Sequence, residues 1–300
     1  LILSNLTTTK AADFYWVGGT GNWSDFNNHW ATTSGGSTFR DTVPLSSDNV
    51  YFDANSFSSG GQTVTIDADA YCNNMSWTGA TNSPTLTASS TWYELEIYGS
   101  LTTISAMTWH ADLDEVEFMA ASGSKSITSN GLSFGSQLSF EGNGTWSLSD
   151  NLTTTDELSF EDGTFNSSNY NINCAKIDSY GLYETVNLGT STITILATSS
   201  ASSYDATIDF GMWTTLDADY ADIIVNNPSG YALRFDLGSH FYNDITFNGS
   251  SYSIVFGEDA NCMDVTFGED MNIRFNDTFT FSDVVFANND FVTFNSGSAY

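Results

Sequence analysis

The sequence predicts an all-β protein: a right-handed parallel β-helix of about 20 residues per turn, with an aromatic-rich cap at its start. Three observations predict it. The chain is rich in Ser, Thr, Asn, Gly and Asp between β-branched and aromatic residues, with three prolines in 300 residues. Short strand-like motifs of one design recur, as in NDITFNG from Asn243, CMDVTFGED from Cys262 and FSDVVFANND from Phe281. Their spacing is close to constant, at 19 to 22 residues.

Aligning the motifs gives the column Met75, Leu95, Val116, Leu138, Leu158, Ile177, Ile223, Ile245, Val265 and Val284. All ten positions are apolar, where a chain that is 40% hydrophobic would fill about four by chance. The positions between and before them are mostly polar, so the strands alternate inward and outward. A second series ends at Phe235, Phe256, Phe275 and Phe294 and keeps step with the first. A unit of this length cannot bury its apolar face alone but can do so stacked on its own copies. A β-sandwich has no reason to hold such columns in phase over 200 residues.

Taken in order, residues 1–12 (LILSNLTTTKAA) read as the remnant of a secretory signal and stand outside the fold. Residues 13–66 read as the cap. Trp16, Trp23 and Trp30 lie seven apart among turn formers, too irregular for a helix face. A solenoid's first course needs a cover, because an open end exposes apolar side chains and strand edges. The alternative use of these three tryptophans is as a carbohydrate-stacking platform. Residues 67–300 read as the β-helix, cut short in mid-repeat at its C-terminus. The weakest stretch of the repeat lies between Ser179 and Val225.

At this point a resemblance becomes specific. YWVGGTGNWSD from Tyr15, DNVYFDANSF from Asp48 and the GTW, LTTT and GTFN pieces between Gly142 and Ile177 resemble the N-terminal segments and repeats of large secreted surface proteins of Bacteroidota, of the kind exported by type IX secretion. Similar segments occur in phage structural proteins. The resemblance covers roughly residues 14–200. It implies a secreted or cell-surface location, an adhesin-like or structural role, further domains in a longer chain, and no catalytic residues.

Charge narrows the partners. Thirty-six acidic residues against six basic ones give a net charge of −30. Lys10, Arg40, Lys125, Lys176, Arg234 and Arg274 are scattered. A nucleic-acid partner, which requires clustered cations, is therefore excluded. No run of about 20 apolar residues is present, which excludes a membrane-spanning helix. An extracellular surface or polysaccharide remains as the expected partner.

Candidate chemistry is sparse. Asp244, Asp264 and Asp283 fall one course apart and would stack their carboxylates, and Ca²⁺ is the cation such an oxygen column would take. Splaying into solvent is the alternative. No other cofactor is expected. A polysaccharide lyase or glycosidase on the same scaffold would need a basic group beside carboxylates or a tight acidic pair. Arg234 and Arg274, two courses apart, and the pairs Glu258-Asp259 and Glu269-Asp270 are what the chain offers, though GED also reads as a turn. His29, His110 and His240 are isolated. The cysteines, Cys72, Cys174 and Cys262, show no CxxC or metal spacing. The expected function is a non-enzymatic surface rod, with a polysaccharide-degrading enzyme or a phage tailspike or fibre component as the alternatives.

Overall fold

A computed structural model of the protein describes residues 11–179, 181, 184–198, 206–211, 214–227, 231–238, 240–249, 251–257, 260–268, 271–276, 278–286 and 292–296. These form a β-solenoid of about ten turns, each of about 21 residues. Each early course contributes one short strand to each of three walls. The first wall is a ten-stranded sheet running from Asp13–Trp16 to Thr215–Asp217 and including Trp30–Ala31. The second comprises four strands from Gly21–Asn22 to Thr108–Trp109, then eight from Ser133–Phe134 to Phe279–Phe286. The third is an eleven-stranded sheet from Ala70–Cys72 to Val292–Ser296. After Asp217 the first wall ends, and each course becomes two strands, those of the second wall lengthening to eight or nine residues.

Among the described residues the strands of the walls pair in parallel, with one exception. Trp30–Ala31 runs antiparallel beside Asp13–Trp16, and the isolated bridge Ala31–Phe39 continues that edge. Parallel stacking begins at once, since Phe14 pairs with Val50 and Val50 with Met75.

The sequence columns reappear with corrections. Leu95, Val116, Leu138, Leu158 and Ile177 face one another along the third wall, and Ile223, Ile245, Val265 and Val284 along the second. The two runs therefore belong to different walls. Ile177 pairs with Ile208, not with a residue of the later run, and Ile223 follows Ile193. The break between Ser179 and Val225 is this change of wall, although residues 199–205 there lie outside the described residues. Met75 belongs to the first wall, so Leu95 follows Ala70 and Ile97 follows Cys72. Phe235, Phe256 and Phe275 are in register, but Phe294 pairs with Ile273, two residues out of step.

The inward side chains make one continuous core from Phe14 to Ile273. Rings in equivalent positions stack along the axis: Phe52 on Trp77 at 3.7 Å, Phe247 on Phe267 at 5.5 Å and Phe256 on Phe275 at 5.2 Å. Offset stacking of this kind adds to burial. Corners are tight where courses meet. Gly163 has φ +72°, and a Cβ there would lie 2.2 Å from the Gly142 carbonyl oxygen. Outside, polar ladders tie courses together: Asn74 Nδ2 donates to Asn49 Oδ1 at 2.8 Å, and the Ser100 amide to Asn74 Oδ1 at 2.7 Å.

Cys72, Cys174 and Cys262 are unpaired and buried. Burial holds all three thiols above their ordinary range, Cys262 at about 12. They pack as small apolar residues rather than as reactive thiolates.

Candidate functional site: a carboxylate cluster on the third wall

The outward columns of the third wall bring three carboxylates close together. One column reads Tyr71, Glu96, Glu117, Ser139, Ser159 and Asp178 in strict register. Beside it Glu115 faces Gln137, and Glu157 faces Lys176. Strand alternation explains the placement: Val116, Leu138 and Leu158 fill the core, so their neighbours must point out. Glu141 follows Phe140 at the strand end, and its Oε1 accepts a hydrogen bond from Ser139 Oγ at 3.0 Å.

Glu115, Glu117 and Glu141 converge, with one carboxylate oxygen of each lying within 4.8 Å of the other two. Gln137 Nε2 donates to Glu115 Oε1 at 2.7 Å. Glu115 is pushed up to about 7, first by burial and then by the charge of Glu141, with hydrogen bonds from Ser139 and Gln137 acting the other way. Glu117 is pushed up to about 8 by burial and then by Glu141, Glu94, Glu115 and Glu96. Glu161 is raised in the same way, by burial and then Glu141. Nearby, Tyr98 donates to Glu96 Oε2 at 2.5 Å. At the far end Lys176 Nζ balances the wall, 3.0 Å from both Glu157 and Asp178.

The folded chain holds protons on Glu115 and Glu117 more tightly than the unfolded chain does. Their favourable contribution is therefore complete below the ordinary glutamate value of 4.5 and is lost as pH rises through about 7 to 8. In calcium-free buffer the thermal midpoint should fall by a few degrees between about pH 5 and pH 8. The double variant E115Q/E117Q should flatten that fall; an unchanged slope would show that these two groups do not carry it.

The sequence-predicted sites fare unevenly. Asp244 faces Asp264 and Asp264 faces Asp283, the stacking that the repeat requires. Asp244 is raised by burial and by Asp222 and Asp264. Yet the carboxylates that converge closely among the described residues are those of the third wall. Asp283 is exposed, which leaves its side chain free to turn into water.

Trp16, Trp23 and Trp30 are corrected outright as a sugar platform. They are 0%, 2% and 0% exposed. Trp30 lies edge-on to Trp16 at 4.9 Å and to Trp23 at 4.8 Å, and the Trp16 ring stacks on His29 at 4.6 Å. Their faces are spent on one another, because alternation turns Phe14 and Trp16 inward together.

Arg234 and Arg274 do occupy equivalent positions with Val255 between them. They sit on the third wall, whereas Asp222, Asp244, Asp264 and Asp283 sit on the second, so the two sets do not form one site. Arg234 is paired with Asp236 at 2.7 Å. Glu258, Asp259, Glu269 and Asp270 lie outside the described residues. His110 contacts Asp112 at 3.0 Å, and His29 Nδ1 lies 2.7 Å from the Val17 carbonyl.

Periodicity alone does not mark Glu115, Glu117 and Glu141 as a group. A signal was present, because Glu94-Leu-Glu96 and Glu115-Val-Glu117 are consecutive courses of one wall and set four carboxylates in a patch.

A hollow in the second wall, lined by Thr153, Thr155, Cys174 and Leu196 among others, has a volume of about 160 Å³. That is below the ~300–1,000 Å³ typical of small-molecule pockets. Among the described residues no helix is long and apolar enough to cross a membrane. No family model, curated protein or solved structure matches the chain.

Proposed function

We propose that the protein is a non-enzymatic structural rod of the cell exterior, adhesin-like, which presents repeated polar ladders to an extracellular surface or polysaccharide. The observation that supports this reading is the in-register stacking of about ten turns around one core. At about 4.8 Å per course this gives a shaft of about 50 Å whose outer walls present mostly polar side chains at a regular step. A repeating surface suits contact with an extended, repeating partner. The net charge of −30 favours solubility and holds copies of the shaft apart, an effect that added salt weakens by screening. The third-wall carboxylates favour one second reading, a polysaccharide-cleaving site, because general acid–base work uses glutamates with raised pKa values.

Small-angle scattering should give an elongated particle, and a polysaccharide panel should show binding without release of reducing ends or unsaturated uronates. Turnover that E117Q abolishes would overturn the proposal in favour of an enzyme. A trimer by light scattering would instead favour a phage fibre.

A further inference from the structure

Charge is divided unequally among the walls. The outward columns of the third wall carry Glu96, Glu117 and Asp178, and those of the second carry Asp244, Asp264 and Asp283. The first wall differs. From Met75–Ser76 to Thr185–Asn187 its six strands turn Ser, Thr and Asn outward. Ser126, Ser147, Asn166 and Asn187 form one column in strict register, and Thr145, Thr164 and Thr185 form the column beside it. Alternation puts them there, because Trp146, Phe165 and Val186 fill the core between the two columns. Lys125, the charged residue of these six strands, is in register with the buried Trp146 and so lies off both columns. Asp217, one course beyond Asn187, ends the uncharged run.

Hydrogen bonding sets the same wall apart. Asparagines at the corners spend their side chains on the next course: Asn151 Oδ1 accepts from the Asn171 amide at 2.9 Å, and Asn171 Oδ1 from the Thr192 amide at 3.0 Å. Among the described residues the side chains of Ser147, Asn166 and Asn187 have no such partner. They are half-buried, and their polar atoms reach solvent. Hydroxyl and amide groups both donate and accept, as sugar hydroxyls do, whereas a carboxylate only accepts. One step along a column is about 4.8 Å, so six courses give about 24 Å of such groups at a fixed pitch. A protein partner suits this face less well, since protein contacts are anchored by Trp, Tyr and Arg, and the outward positions of these strands hold none.

We propose, resting on the reading of the protein as an extracellular rod, that the first wall is the face on which it takes an uncharged polysaccharide, laid along the columns. Charge complementarity selects that partner. A polyuronate is repelled by a chain of net charge −30 whose second and third walls carry stacked carboxylates. An uncharged glycan meets no such barrier, and on the first wall it covers no carboxylate that would have to be stripped of water. Ser, Thr and Asn are short, so they lose less freedom on contact than Lys, Arg, Gln or Glu would. That suits binding through many weak contacts over an extended face.

The test is co-sedimentation of the whole chain with cellulose, chitin and mannan as uncharged probes, and with polygalacturonate beads as the acidic one. Saturable binding to at least one uncharged probe, and none to polygalacturonate, is expected. S147E/N166E should weaken that binding about tenfold or more, because two carboxylates then stand in the contact without partners. T246E, at an outward position of the second wall, should leave it unchanged. If the double variant loses the β signal in circular dichroism, N166E alone serves. Binding to an uncharged probe that N166E and S147E/N166E leave intact would overturn the choice of wall while the rod reading stands. Binding to polygalacturonate alone would overturn the choice of partner. A dimer in light scattering that S147E/N166E dissociates would give the wall to a second copy instead. Binding to no probe at all would remove polysaccharide from the proposed function as well.

Discussion

Replacing Phe140 by alanine should cost about 3–5 kcal/mol of stability. The ring is 1% exposed and sits where two walls meet. It stacks between Phe118 at 4.8 Å and Phe160 at 5.6 Å, and the edges of Trp146 and Phe165 close on it at 6.1 and 4.8 Å. The void cannot collapse, because ladder hydrogen bonds hold the courses at a fixed separation on every side. The rings above and below would each lose a face. Urea unfolding followed by circular dichroism measures the loss. The milder I177V in the same wall should cost about 0.5–1.5 kcal/mol. A loss below about 1 kcal/mol for F140A would mean that the ring does not sit in a packed interior.

The second large effect belongs to the start of the shaft. Trp30 is carried by the antiparallel strand that closes the first course. Besides Trp16 and Trp23 it meets Phe14 at 6.0 Å and Phe52 at 5.8 Å. Its Nε1 donates to the Trp23 carbonyl at 2.9 Å. W30A should therefore cost about 3–5 kcal/mol and expose the first parallel edge with its aromatic filling. In a stack of nearest-neighbour contacts the damage begins at that end and spreads inward. Early cleavage near residues 13–66 in limited proteolysis, with increased binding of a hydrophobic dye, is the expected outcome. W92A, at a tryptophan that is 81% exposed, should stay within about 0.5 kcal/mol of the native chain. Equal effects of the two substitutions would contradict the closing role of Trp30.

Much of this fold is legible in the sequence because alternation and period are direct consequences of stacking. The runs Leu95 to Ile177 and Ile223 to Val284 are aligned in the structure as their spacing implies. What spacing cannot supply is the phase between walls. Each wall repeats at the same interval, so a strand of one wall fits the column of another, and Met75 shows the result. It satisfies the third-wall pattern and yet packs in the first, between Val50 and Leu101.

Spacing does not encode side-chain direction either. The seven-residue spacing of Trp16, Trp23 and Trp30 carries no information on which way an indole points, and all three point in. The site was less legible still. Glu115 and Glu117 fall in outward columns by alternation, but Glu141 lies just past a strand end. Its approach to the other two depends on a side chain folding back over Ser139, which no periodicity encodes.

The distance between spin labels along one outward column tests the stacking itself. In the first wall Asn74, Ser100, Ser126, Ser147, Asn166, Asn187 and Asp217 follow one another at one step per course, as the registers of their neighbours fix. Labels would be attached through D217C paired with S126C, and D217C paired with N74C, while the native thiols stay buried. Dipolar spectroscopy should give separations of about 19 Å and about 29 Å, four and six courses at about 4.8 Å each. Separations that do not grow with the number of courses would contradict a parallel, in-register solenoid.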